Sequence, residues 1–335
     1  MRRTDTLLFF LLAFTLHSYF TTVLVAEDTS PGSVTNGIVH FTPGAQEVLL
    51  PTCYQMTPNS FSYELNRQKT PANVQVDVFT LKFPSPVVTA YPENNTVHAE
   101  YYRPQGEGPF PGVIVLGILG GDQKLARMQS AMLAQKKVAA LFVQMAYYGP
   151  RRPAGKKVRL LMADVDHSMN AVRQSVLDIR CAVTWLAQRS EIDTQRIGLL
   201  GTSLGSFIGS VATAQEPKIK RLAIVLGGGG LVDAFYDHPR ALVAREMYEA
   251  FGGSKKALAA AIAMADPLTF APQLRPRQVI MIGAKRDEIV PPSATLRLWN
   301  ALGQPQIVWY DATHIGTILY FIPALNQVIQ FFQAP

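Results

Sequence analysis

The sequence predicts an α/β fold with a mostly parallel, twisted sheet, and two patterns indicate it. Continuous apolar runs, as at 113–116 and 138–143, are typical of strands that are buried on both faces. Stretches with apolar residues every three or four positions, such as 164–189, indicate helices between them. Strands that alternate with helices form right-handed βαβ units, which place helices on both faces of the sheet.

The predicted elements follow in order from residue 74. Alternating apolar and polar residues at 74–83 and 96–102 predict an antiparallel pair that opens the sheet. Residues 229–275 are helix-rich without a strand, and we interpret them as a helical lid insertion. The other predicted strands are 113–116, 138–143, 197–200, 222–226, 279–282 and 307–310, and the predicted helices are 124–135, 164–189, 204–214, 293–302 and 319–332.

Composition supports one large globular domain at 74–335. Of 335 residues, 48% are hydrophobic and 16% charged, which fits neither a disordered chain nor a coiled coil. Two cysteines, Cys53 and Cys181, cannot build a disulfide scaffold or a four-cysteine zinc site. No pair of His or Cys has metal-ligand spacing. We therefore expect no metal and no cofactor.

The net charge is +7, from 31 basic and 24 acidic residues. Such an excess can attract an anionic polymer or a membrane surface. Here no aromatic residues are interleaved with the basic ones and no nucleic-acid module is visible, so we interpret the densest run as a solvated basic loop and expect no nucleic-acid partner. That run is Arg151, Arg152, Lys156, Lys157 and Arg159.

Residues 1–26 have the parts of a secretory signal peptide. Arg2 and Arg3 precede an apolar run at 7–14, and Ala26 comes just before a polar stretch. The sequence therefore predicts a secreted or periplasmic protein that is cleaved after Ala26. The alternative is an uncleaved signal anchor, but polar residues at 17–22 dilute the apolar run. We interpret residues 27–73 as an N-terminal arm with short extended pieces. Separately, Asn94 begins a glycosylation sequon.

The sharpest chemical signal is the Gly-Thr-Ser-Leu-Gly motif at 201–205, between a buried strand and a helix. This setting is typical of a nucleophile elbow, in which the two glycines relieve a tight turn and the serine hydroxyl is lifted above the sheet. A glycine-rich turn without reactivity is the alternative. We predict that Ser203 is a nucleophile.

A serine nucleophile needs a base, and the base needs an orienting acid. Of six histidines, only His314 follows a late buried strand at the same sheet edge as Ser203. For the acid, Asp287 follows the strand 279–282. The rival is Asp233, after the strand 222–226, whereas Asp311 is too near His314 along the chain. We prefer Asp287, because Ser, Asp, His is the order expected on this kind of sheet.

Two backbone amides should form the oxyanion hole. One is the amide of Leu204, directly after the serine. The other should come from the glycine-rich loop 117–121, where we choose Leu119, with Ile118 as the alternative. This loop has neither the Walker lysine spacing nor the dinucleotide-binding glycine spacing.

These residues resemble the α/β-hydrolases, in the branch of dienelactone hydrolases, acetyl xylan esterases and prolyl-oligopeptidase-like enzymes. The resemblance covers about residues 74–333 and is carried by 192–205, by Asp287 with the Ile-Val-Pro at 289–291, and by His314. It implies the α/β-hydrolase fold and ester hydrolysis through an acyl-enzyme. The chain departs from dienelactone hydrolases, which have Cys in place of Ser203, and from the many relatives with His-Gly at 117–118.

The sequence as a whole predicts a secreted serine hydrolase that cleaves carboxylic esters of small molecules or carbohydrates. The lid, with Tyr147 and Tyr148, should shape its pocket. A peptidase or acyltransferase on the same fold is the alternative, and a non-catalytic binding module is a third possibility. A membrane partner is expected only if the N-terminal segment stays uncleaved.

Overall fold

A ten-stranded sheet forms the centre of the computed structural model, which describes residues 34–70, 75–238 and 241–335. The predicted signal segment 1–26 lies outside these residues. In chain order the strands are β1 Val34–Phe41, β2 Asn59–Arg67, β3 Val76–Pro84, β4 Thr96–Pro104, β5 Phe110–Leu116, β6 Ala139–Val143, β7 Ile192–Thr202, β8 Arg221–Val225, β9 Gln278–Ala284 and β10 Gln306–Tyr310.

The strand order across the sheet is β1-β2-β3-β4-β6-β5-β7-β8-β9-β10. β1 to β4 pair antiparallel and join β6 antiparallel, whereas β6, β5 and β7 to β10 run parallel. The chain passes from β5 to β6 on one side and later returns to β7 on the other. Loops at the carboxyl ends of these central strands therefore diverge and open a crevice, where ligands bind in sheets of this kind.

Helices cover both faces of the sheet. α2, α3 and α8 pack on one face with the larger hydrophobic core, and α1 and α9 pack on the other. The helices are α1 Lys124–Gln135, α2 Val165–Ala187, α3 Leu204–Gln215, α4 Leu231–Phe235, α5 Leu242–Ala250, α6 Lys255–Ile262, α7 Ala271–Leu274, α8 Pro292–Ala301 and α9 Phe321–Gln333. The α/β prediction is confirmed, and each predicted strand and helix is present within a few residues of its expected bounds.

The N-terminal arm contributes more than short extended pieces. β1 and β2 are eight and nine residues long and extend the sheet beyond β3. The sequence pattern of β1 is weak because only Val39 and Phe41 are buried along it. Gly37 lies against the ring of Tyr63, where a Cβ would collide.

The basic run is not wholly a solvated loop, and this part of the sequence interpretation is wrong. Arg151 is 0% exposed, and its guanidinium lies 2.7 Å from the carboxylate of Asp178, which is equally buried. A buried arginine needs such a partner, because an unpaired charge in the interior is strongly destabilising. Only the other four members of the run are exposed: Arg152, Lys156, Lys157 and Arg159.

Three further sequence features are placed by the structure. Asn94 of the sequon is 0% exposed and bonds Gln174 and the amide of Tyr147. Cys53 and Cys181 are both free thiols. Within the part of the chain that the structure describes, no single helix is long and apolar enough to cross a bilayer; only the bent pair Lys255–Ala265 and Pro267–Leu274 passes when joined.

Candidate active site

Ser203 lies in the tight turn between β7 and α3. Its φ of +52° and ψ of −117° place a non-glycine residue in a strained conformation. The turn is held by a 2.8 Å hydrogen bond from the amide of Ser203 to the carbonyl of Val225. Gly205 lets α3 approach β5 closely, because a Cβ there would lie 2.5 Å from the carbonyl oxygen of Gly117. The local geometry is that of a nucleophile elbow.

The structure brings Ser203, His314 and Asp287 into one hydrogen-bonded chain. Nε2 of His314 lies 3.1 Å from Oγ of Ser203, and Nδ1 of the same ring lies 2.7 Å from Oδ2 of Asp287. The side chain of His314 is 11% exposed and that of Asp287 is 3% exposed. Each of the three residues follows the carboxyl end of a parallel strand, namely β7, β9 or β10.

The Asp287 carboxylate is fixed by its own loop. Oδ1 accepts hydrogen bonds from the amides of Ile289, at 2.9 Å, and Val290, at 2.7 Å. This arrangement leaves Oδ2 for the imidazole. The amide of His314 in turn donates to the carboxylate of Glu288 at 3.2 Å.

The rival acids lie elsewhere. The side chain of Asp233 is 67% exposed and lies 3.5 Å from the Lys255 ammonium group. Asp311 pairs with Arg286 at the surface. The ring nitrogens of His314 have Ser203 and Asp287 as their partners instead.

The loop 117–121 lies beside the elbow, because the amide of Gly205 donates to the carbonyl of Gly117 at 3.0 Å. Among the described residues, the amides of Leu204, Ile118 and Leu119 have no hydrogen-bond acceptor. Gly120 differs, since its amide donates to the hydroxyl of Tyr148. Both loop amides named by the sequence are therefore without a partner among the described residues.

Comparisons with known proteins agree with this architecture. The model of the prolyl oligopeptidase family matches residues 167–313. The acetyl xylan esterase from Paenibacillus sp. R4 superposes with a TM-score of 0.62 at 17% identity, over 80% of this chain and 88% of that enzyme. Acetyl xylan esterase 1 from Thermoanaerobacterium sp. JW/SL YS485 superposes with a TM-score of 0.60 at 16% identity, over 81% and 88%.

The chain has the α/β-hydrolase fold.

One relative is more similar in sequence but of different length. An uncharacterised protein of Mycobacterium tuberculosis is 29% identical over 161 residues, which are 46% of this chain and 36% of the relative. The chain thus matches about a third of that protein's length.

In this α/β-hydrolase fold the two tyrosines named by the sequence lie after β6. Tyr148 is buried, and its hydroxyl accepts the Gly120 amide at 3.0 Å. Burial raises the pKa of Tyr148, so its hydroxyl stays protonated at neutral pH. Tyr147 packs its ring against Tyr91 and His167. A part in shaping the pocket stays a prediction for both residues.

Sequence reasoning missed Gln123, which closes the same loop. Its side-chain amide donates to the carbonyls of Ile118 and Gly120, and its backbone is left-handed, with φ of +62°. The side-chain oxygen of Gln123 occupies the space that a Cβ at Gly117 would need. A glutamine just before a predicted helix gives no sequence signal of this role.

The insertion between β8 and β9 packs close to the site. α4 contributes Leu231 and Phe235 to an apolar cluster with Phe207 of α3 and Val290 of the Asp287 loop. Asp266, later in the insertion, fixes the start of α4, because its carboxylate accepts hydrogen bonds from the amides of Gly230 and Leu231. The predicted helical content is therefore present, and opening or closing as a lid stays a prediction.

Proposed function

We propose that this protein is a serine hydrolase that cleaves carboxylic esters through an acyl-enzyme. The supporting observation is the continuous contact from the hydroxyl of Ser203 through the imidazole of His314 to the carboxylate of Asp287. A serine hydroxyl becomes nucleophilic when a neighbouring base removes its proton, and the base acts best when a carboxylate fixes its tautomer.

The first half of the reaction follows from this geometry. With Nδ1–H of His314 bonded to Asp287, Nε2 is free to take the hydroxyl proton as Oγ of Ser203 attacks the ester carbonyl. The negative oxygen of the tetrahedral intermediate accepts hydrogen bonds from the amide of Leu204 and from that of Leu119 or Ile118. The imidazolium then protonates the alcohol, which leaves.

In the second half, His314 removes a proton from water, and the hydroxide attacks the acyl-Ser203 carbonyl. The intermediate collapses to release the acid, and the proton returns to Oγ of Ser203. These reaction steps use only water and the side chains and backbone amides of the protein, so the proposed reaction needs no cofactor.

Small acylated molecules and carbohydrate esters are the substrates that we propose. The support is the similarity of fold to two acetyl xylan esterases together with the serine at position 203. A series of p-nitrophenyl esters of increasing acyl length, run beside an acetylated sugar, would rank these substrates.

The assignment of the nucleophile is tested with Ser203→Ala. We expect the wild-type protein to be labelled by a fluorophosphonate probe and to hydrolyse p-nitrophenyl acetate, and the variant to lose both reactions. Ser206→Ala is the matched control, because Ser206 is a buried serine one turn along α3 whose hydroxyl bonds the carbonyl of Ser203. Persistent labelling of Ser203→Ala would overturn the proposal.

A peptidase or acyltransferase is the second candidate, and the match of residues 167–313 to the prolyl oligopeptidase family favours it. Peptide p-nitroanilides separate the peptidase from the esterase. Acyl transfer would appear as a product that depends on an added alcohol or amine acceptor.

Export is part of the proposal as well. The basic start, the apolar run and Ala26 support a secreted or periplasmic protein. The intact mass of protein from its native host would show cleavage after Ala26. Membrane-bound protein with an intact N-terminus would instead support a signal anchor.

A further inference from the structure

Two side chains outside the proposed triad fix the loop 117–121. Tyr148 receives the amide of Gly120 at 3.0 Å, and Gln123 donates to the carbonyls of Ile118 and Gly120. Both side chains are buried. In a trans peptide the carbonyl and the next amide point in opposite directions, so holding the Ile118 carbonyl also sets the direction of the Leu119 amide.

Tyr148 can act as a fixed point because its own turn is hydrogen-bonded to buried groups. Its carbonyl accepts the amide of Arg151 at 2.9 Å. The buried guanidinium of Arg151 donates to the carbonyls of Gln144 and Asn94, each at 2.9 Å, and to Asp178. The loop after β6 is thus anchored to the turn before β4 and to α2 before it reaches the loop after β5.

The bond to Tyr148 also determines which amides remain available. It occupies the Gly120 amide and leaves those of Ile118 and Leu119 without an acceptor among the described residues. Preorganised donors stabilise an oxyanion best, because they need no rearrangement when the charge forms. A loop with three glycines in five residues would otherwise move freely.

We propose that Tyr148 is a positioning residue for the oxyanion hole: its hydroxyl holds the Gly120 amide so that the preceding loop amides face the developing oxyanion. This inference rests on the proposed ester hydrolysis at Ser203. Tyr148 contacts the loop and not the reacting atoms, so its loss should slow the chemical step without removing it.

The test compares Tyr148→Phe with Tyr101→Phe. Each substitution removes one hydrogen-bonded hydroxyl from a buried tyrosine, but the hydroxyl of Tyr101 donates to the carboxylate of Glu191, just before β7 and at the opposite end of that strand from Ser203. For p-nitrophenyl acetate we expect Tyr148→Phe to lower kcat about tenfold with little change in KM, which is less than the loss of a donor itself causes. Tyr101→Phe should stay within about twofold of wild type.

A thionoester substrate separates positioning from a general loss of structure. Its sulfur is a weak hydrogen-bond acceptor, so its reaction gains little from the oxyanion hole. We expect the defect of Tyr148→Phe to shrink to about twofold on the thionoester if the hydroxyl acts through donors to oxygen. Hydrogen exchange of the Gly120 amide should be faster in Tyr148→Phe than in Tyr101→Phe.

Other outcomes overturn the inference. Equal kcat values for the two variants, or an equally large defect on ester and thionoester, would show that Tyr148 does not act on the oxyanion hole. If wild-type protein shows no hydrolysis that depends on Ser203, the proposed function fails and this inference fails with it.

Discussion

At the scale of single residues, the two oxygens of Asp287 have separate partners. Oδ1 is held by two backbone amides, and Oδ2 faces Nδ1 of His314. The carboxylate therefore cannot rotate without breaking bonds to its own loop. This explains why Asp287 can fix one tautomer of the imidazole, whereas an exposed carboxylate such as Asp233 cannot.

We expect Asp287→Asn to lower kcat about 10³- to 10⁴-fold, because an amide nitrogen facing Nδ1 favours the wrong tautomer. Asp233→Asn is the matched control, since it was the rival acid in the sequence and lies exposed beside Lys255. Initial rates with p-nitrophenyl acetate check both variants. A comparable loss in Asp233→Asn, with Asp287→Asn active, would move the acid role to Asp233.

The sequence predicted where these three side chains meet because each follows a strand whose type is visible as an apolar run. It did not predict the burial of Arg151, because the partner carboxylate of Asp178 lies in a helix 27 residues later. A basic residue among exposed basic neighbours carries no local sign of such a partner. Tyr148 was expected in the pocket wall, but its bond to Gly120 depends on the approach of two loops.

At the scale of elements, β5 and α3 approach each other closely at Gly205. A Cβ at this position would lie 2.5 Å from the Gly117 oxygen and 2.7 Å from the Leu116 oxygen. Both atoms belong to the backbone, so neither can move aside alone. The close approach places the loop 117–121 next to Ser203, the proposed nucleophile.

We expect Gly205→Ala to lower the free energy of unfolding by about 1–3 kcal/mol, because the added methyl group forces α3 away from β5. Ester hydrolysis should fall by more than the unfolded fraction of the protein accounts for, since the same shift separates the loop amides from Ser203. Gly44→Ala is the control, because no heavy atom lies within 4 Å of a Cβ there. Urea unfolding and ester hydrolysis measure the two effects. A Gly205→Ala variant with wild-type stability would show that the neighbouring backbone can move to make room for the methyl group.

Strands could be predicted from the sequence where both of their faces are buried. The central parallel strands were identified from their composition, as were the long helices. β1 was not, because most of its side chains are exposed and its alternation is interrupted by polar residues and Gly37. Its place in the sheet depends on pairing with β2, which a local pattern does not reveal.

At the scale of the whole molecule, Arg180 of α2 joins distant segments. Its guanidinium donates to the carboxylate of Glu47 and to the carbonyl of Tyr54 in the N-terminal arm, and it lies 3.4 Å from Glu216 beyond α3. Burial alone would raise the pKa of Glu47, but hydrogen bonds from Arg180 and the amide of Met56 outweigh it and lower the pKa.

This pKa shift gives a pH-dependent prediction for Glu47→Gln. A depressed carboxyl pKa stabilises the fold above the unfolded-state value of about 4.3, and the stabilisation is lost as the pH falls through the lower folded-state pKa. We expect the variant to be less stable than wild type by about 2 kcal/mol at pH 7. Near pH 3 the difference should shrink.

Urea unfolding at the two pH values measures this difference. The exposed Glu93 provides the control substitution Glu93→Gln, which should change stability little at either pH. A pH-independent deficit in Glu47→Gln would mean that packing rather than charge links the arm to α2.

The position of β10 in the strand order has a further consequence. It is the outermost strand at its end of the described sheet and pairs only with β9, yet the loop that follows it carries His314, the proposed general base. Outer strands open in local fluctuations more readily than central ones. Local opening of β10 would displace His314 and stop the proposed reaction. On heating, activity should therefore be lost while the central strands beside Ser203 are still folded.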